Sequence, residues 1–222
     1  HLSMLRRAWV IDRLAFLVQV FAIDLISYAV MQNHLHTLIR NRPDTARDWP
    51  PEEVARRWRL LFPLRRENGQ PQEPNQAEID AIISQPALVE LYRVRLSNIS
   101  WFNRCLCEFI AKRANREDNC TGRFWEGRFK CQKITDTSGL LACSVYIDLN
   151  PIRAKAATTP EDSDYTSIQD RIRALRAKDS KCAAPKNSPS LLEIEQAYGG
   201  SLSIEEYLVL VDETAKGLVK GK

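Results

Sequence analysis

The chain of 222 residues is 44% hydrophobic and 27% charged, which supplies one substantial core with an appendage and leaves little room for two full-sized independent domains. Its net charge of +4 and pI near 8.8 permit a polyanionic partner without requiring one. No apolar run approaches the roughly 20 residues that cross a bilayer, and the first residues lack the apolar stretch and cleavage site of a signal peptide, so the expectation is a cytoplasmic protein with no membrane partner.

In residues 2–20 the apolar positions Leu5, Trp9, Val10, Leu14, Leu17 and Val18 recur near a 3.6-residue period, which predicts an amphipathic helix. Residues 25–31 (LISYAVM) and 34–40 (HLHTLIR) read as extended, with Gln32 and Asn33 between them; this is two strands with a tight turn or one strand with a bulge. A Pro-, Arg- and Trp-rich stretch over 41–75 follows, with a short helix over 51–60 and a Gln/Pro/Asn/Gly linker at 68–76. Helices are predicted over 77–84, 87–96 and 98–114, the last turning Trp101, Phe102, Leu106, Phe109 and Ile110 toward a core. RFWEGRFKCQKI at 123–134 reads as a strand or hairpin broken at Gly127.

A helix over 138–150 carries Leu141, Val145 and Leu149 as an apolar stripe and should stop or kink at Asn150, because Pro151 disfavours helical geometry in the residue before it. Residues 154–190 are polar around one basic helix at 165–178, and Ser203 with Glu206 forms a capping box for a final helix to about Val219. The six cysteines (105, 107, 120, 131, 143 and 182) show no C-x-x-C pair, which argues against a structural zinc site and for reduced thiols.

Two short stretches carry chemistry. On a strand, residues two apart share a face, so His34 and His36 would present both imidazoles together while Leu35 turns the other way into the core. The triplet alone is equally consistent with two polar residues in a strand. Tyr146 and Asn150, at i and i+4, share a helix face; taken singly, they are a boundary aromatic and a helix stop. Together the four residues are the components of metal-assisted attack on a phosphodiester. Two imidazoles and an amide oxygen leave coordination positions open for a phosphate oxygen, and a tyrosine supplies the attacking oxygen. Such a donor set tolerates Mg²⁺ or Mn²⁺, although imidazole favours softer ions.

Cations and rings alternate in 123–133, where Arg123, Arg128, Lys130 and Lys133 stand against Glu126, with Phe124, Trp125 and Phe129 between them. This is the composition that single-strand binding uses, and equally that of a strand with a core face and a solvated face. Alternation would place Arg128 and Lys130 on one face. Arg153 continues the Tyr146/Asn150 stripe as a candidate phosphate clamp, whereas the arginines at 56, 57, 59, 65 and 66 lie among Glu52, Glu53 and Glu67 as on a solvated helix.

YAVMQNHLHTLIR resembles the His-hydrophobic-His signature of HUH single-tyrosine transposases. GRFWEGRFK followed by YIDLNPIRA is similar to the later blocks of the REP-associated tyrosine transposase branch, over about residues 20–155. The resemblance implies an α+β fold, a ferredoxin-like antiparallel sheet with packed helices. The catalytic domain would be residues 1–155, with a largely helical insertion at 41–120 and a helical extension at 156–222. It implies His34, His36 and Asn150 as metal ligands and Tyr146 as nucleophile. The activity it implies is cleavage and rejoining of single-stranded or hairpin DNA through a 5′-phosphotyrosine, by a monomer or homodimer. The family's strand before the first helix has no counterpart in these residues, where the helical pattern starts almost at His1, so the expectation is either a fragment or a decayed copy; a sheet lacking that strand would have a bare edge beside the histidine strand. A decayed or domesticated member that binds hairpins without cutting, or a replication or mobilisation initiator, are the alternatives.

Overall fold

The computed structural model describes residues 2–64, 70–180 and 188–220. In chain order the elements are α1 (Met4–Val20), β1 (Ile23–Val30), β2 (Leu35–Asn41), α2 (Pro43–Asp48), α3 (Pro51–Leu61), α4 (Gln76–Ile83), α5 (Pro86–Leu96), α6 (Ile99–Glu117), α7 (Thr137–Asp148), α8 (Asn150–Arg153), α9 (Ser167–Ser180), α10 (Ile194–Ala197) and α11 (Ile204–Lys220). The protein is α+β, with a two-stranded antiparallel sheet among the described residues. The chain divides into two compact units. One comprises His1–Ala15, Leu25–Arg40 and Arg128–Lys222; the other comprises Phe16–Asp24 and Asn41–Gly127.

The second unit is helical, and its helix starts are written locally. Proline occupies the first turn of α2, α3 and α5, where its missing N–H is no loss. Asn75 and Asn98 accept backbone N–H groups at the starts of α4 and α6. Its aromatic centre is Trp58, stacked on Tyr92 at 4.0 Å between centroids and meeting Trp101 at 5.6 Å, with the Arg95 guanidinium 4.5 Å from the Trp101 ring. Phe102, Leu106 and Ile110 of α6 are buried as expected, whereas Phe109 lies on the outer face at 38% exposure. Arg56 and Arg57 pair with Glu52 and Glu53 one turn away, and Arg59 with Glu78. Arg57 also donates to the carbonyls of Gln19 and Val20 at the end of α1. Arg65 and Arg66 lie outside the described residues.

In the first unit β1 and β2 form a hairpin closed by Met31 N–H donating to His34 O at 2.9 Å, which settles the choice between two strands and a bulge. Apart from Asp24, every residue of β1 is buried, the mark of a strand covered on both faces. Its far edge is not bare. Val30 N–H donates to Tyr165 O at 3.0 Å, Ala29 bridges antiparallel to Thr166, and Tyr28 N–H donates to Ser167 Oγ at 2.9 Å. Arg171 Nη2 donates to Ile26 O, and Leu192 N–H to Leu25 O. Loop, side chain and helix start thus do the work of a neighbouring strand.

Three local expectations are corrected. Residues 121–135 contain no strand or helix, so the hairpin expected over 123–134 is absent and its alternation of faces does not apply. Leu35 is only partly buried. The core anchor of β2 is Leu38, 8% exposed, on the same face as His36, because Ile147 of α7 packs there together with Ile26, Ala29 and Met31. The helix break beside Pro151 falls at Leu149 (φ −90°, ψ 0°) rather than at Asn150, which opens α8 with Pro151 in its first turn. The capping box forms as expected: Glu206 N–H donates to Ser203 Oγ, and Ser203 N–H to Glu206 Oε2.

Candidate active site

His34 ends the hairpin connection and His36 is the second residue of β2. Their rings meet edge to face at 4.8 Å between centroids, so the two-residue spacing brings the imidazoles together. Asn33 Oδ1 lies 2.6 Å from His34 Nδ1; an amide oxygen there accepts a hydrogen bond from Nδ1–H, the tautomer in which Nε2 carries the lone pair. Burial, and then the neighbouring His34, lower the His36 pKa below its ordinary 6.5. The ring is therefore neutral near pH 7, the form that ligates metals.

Tyr146 reaches the histidines from α7. Its ring stands edge to face with His36 at 5.9 Å between centroids. It is 45% exposed, and its hydroxyl makes no hydrogen bond among the described residues. The Arg153 guanidinium carbon, from α8, lies 5.2 Å from the Tyr146 ring centre, a cation held beside a tyrosine. Two pairs of residues more than a hundred positions apart in sequence thereby form one cluster: His34 with His36, and Tyr146 with Arg153.

Asn150 is 7% exposed, and its side-chain amide makes no hydrogen bond among the described residues. Its amide atoms are open to solvent, so water satisfies them without a ligand. No contact joins the Asn150 side chain to either histidine among the described residues, so the structure brings together His34 and His36 and leaves Asn150 outside the cluster. Among the described residues no group of three or more His, Cys, Asp or Glu side chains could hold a metal ion.

Arg128, Lys130 and Lys133 lie exposed on the irregular stretch that leads into α7, and form no ion pair among the described residues. Arg123 is exposed and belongs to the other unit. Of the interleaved rings, Trp125 is pinned by its indole N–H donating to Cys107 O at 2.9 Å, while Phe129 is 39% exposed. The cysteines at 105, 107, 120, 131 and 143 are free thiols; Cys182 lies outside the described residues.

A second cluster escaped the sequence reading. The Asp148 carboxylate, fully buried two residues after Tyr146, accepts from Ser167 Oγ at 2.5 Å and from Tyr207 Oη at 2.5 Å. One turn earlier, Ser144 Oγ and Tyr198 Oη lie 2.6 Å apart. Burial raises the Asp148 pKa from 3.8 to about 6, against the opposing pull of these hydrogen bonds and of Arg171. The available signal was that Asp148 is the one charged residue of α7, set in an otherwise apolar stretch.

Comparison of the chain with protein-family models, with curated proteins and with solved structures finds no match.

Proposed function

We propose that the protein is a metal-assisted DNA strand-cleaving and strand-transfer enzyme of the HUH type, built on that family's ferredoxin-like fold, with Tyr146 as nucleophile. The observation that supports this most is the placement of Tyr146 against His36 at 5.9 Å between centroids, with its hydroxyl unengaged. A tyrosine, two imidazoles and a nearby arginine, with the Asn150 amide one helix further on, would supply an acceptor site for a phosphodiester.

Tyr146 Oη attacks the scissile phosphorus; the Oη–P bond forms and the P–O3′ bond breaks. The phenolic proton passes to solvent, and the departing 3′ oxygen takes one up. The product is a 5′-phosphotyrosine and a free 3′-hydroxyl, which can attack the same phosphorus in reverse and regenerate the phenol. His34, His36 and Asn150 would hold a Mg²⁺ or Mn²⁺ ion, which supplies neutralisation of charge on the phosphate oxygens. Arg153 contacts another phosphate oxygen, and Arg128, Lys130 and Lys133 hold the flanking backbone.

Incubation with Mn²⁺ and a single-stranded hairpin oligonucleotide labelled 3′ to the cut should give a protein–DNA adduct stable to denaturant. Tyr146→Phe should give none. An adduct formed equally by Tyr146→Phe sinks the assignment. Salt-sensitive hairpin binding by both proteins with no adduct from either would establish the non-cleaving alternative.

A further inference from the structure

We infer that Asp148 is a positioning residue for Tyr146, fixing through Ser167 and Tyr207 the rotation of α7 relative to the histidine hairpin; this rests on the reading of Tyr146 as nucleophile. Residues two apart on a helix lie about 200° around its axis, so Asp148 and Tyr146 point to opposite sides. Ser144 and Asp148, four apart, share the inner side. There each meets a hydroxyl from the C-terminal segment, Tyr198 for Ser144 and Tyr207 for Asp148.

Leu140, Leu141, Cys143, Val145 and Ile147 add apolar packing to α7. Apolar contact is non-directional and lets a helix turn or slide a little at small cost; charge-assisted hydrogen bonds fix direction. A rotation of about 10° displaces a side-chain tip 5–6 Å from the axis by roughly 1 Å, and a misplacement of that size costs a reaction about a hundredfold.

The partner on the other side of Asp148 makes the role specific. Ser167 Oγ accepts from Tyr28 N–H at 2.9 Å while donating to Asp148, and Tyr28 belongs to β1, the strand paired with the histidine-bearing β2. One chain of hydrogen bonds therefore runs from the hairpin backbone through Ser167 and Asp148 to the helix that carries Tyr146. The two halves of the candidate site are registered against each other by a carboxylate that touches neither.

Two readouts test this, and they are separable. Ring-current shifts of the His36 ring protons report the position of the Tyr146 ring; Tyr146→Leu supplies the value without it. In Tyr207→Phe, which keeps the ring and removes the donor, these resonances should move toward the Tyr146→Leu positions, and adduct formation at saturating DNA should slow about tenfold or more with DNA affinity unchanged. Ser167→Ala, which removes the other donor to Asp148, should move them in the same sense, and serves alone should Tyr207→Phe not fold. Unmoved resonances in a folded variant overturn the inference whatever the rate, and leave the cleavage reading intact. Moved resonances in a protein whose wild type forms no adduct support the positioning role while removing the nucleophile.

Discussion

The two sides of α7 are built on opposite principles. Toward the histidines, Tyr146 is 45% exposed with no hydrogen bond among the described residues. Toward the C-terminal segment, Asp148 is fully buried and Ser144 and Asp148 are both hydrogen-bonded. A helix face whose polar groups are saturated is spent on holding position; a face with an unengaged phenol beside a neutral imidazole has its interactions available for a ligand. The contrast separates a side open to a ligand from a side that holds the helix in place.

Exchanging the damage between the two faces is the strongest test. Tyr146→Phe should abolish the covalent adduct and shift unfolding free energy by less than about 0.5 kcal/mol, as for other exposed substitutions. Asp148→Ala strands the buried Tyr207 hydroxyl, while Ser167 Oγ keeps Tyr28 O as an acceptor at 3.1 Å, and should lower stability by roughly 2 kcal/mol, visible in denaturant titration. Comparable stability losses in both variants would erase the distinction between the faces.

The second test concerns charge. Because burial holds the Asp148 carboxyl near 6 against an ordinary 3.8, the folded protein binds a proton that the unfolded chain has released between about pH 4 and 6. That contribution is complete below pH 4 and is lost as the pH rises through 6. Asp148→Asn lacks it, while groups such as His36 are common to both proteins. The variant should therefore gain on the wild type between pH 4 and pH 7, by up to roughly 3 kcal/mol. A gap that stays constant with pH would show that Asp148 is ionised in the folded state as easily as in water. The smallest effect belongs to the rim: Arg153→Ala should weaken hairpin binding about tenfold, more at low salt than at high, and leave thermal stability unchanged. Insensitivity to salt would remove Arg153 from the phosphate contact.

Much of the fold was legible because its signals are local. Proline and asparagine at helix starts, the Ser203–Glu206 box and the apolar periods of α1 and α6 are written within a few residues of where they act. The meeting of His34 and His36 was legible for the same reason, since a two-residue spacing in extended chain fixes a shared face. What escaped depends on partners far along the chain. RFWEGRFKCQKI has strand composition, but a strand exists only where another backbone accepts it. Leu38 rather than Leu35 anchors β2 because α7 docks on the histidine face, which the strand itself cannot specify. Asp148 finds its hydroxyls 19 and 59 residues downstream, and no spacing rule connects them.

The sealing of the far edge of β1 by Tyr165, Thr166, Ser167, Arg171 and Leu192 bears on how the protein can be cut. Motif resemblance ends near residue 155, and a fragment drawn there would keep every candidate catalytic residue. It would also strip the partners from the backbone of Leu25, Ile26, Tyr28 and Val30, leaving an apolar strand open to pairing with another molecule. Such a fragment should aggregate rather than act as a minimal enzyme, because its sheet is finished piecemeal by chain that follows the last motif.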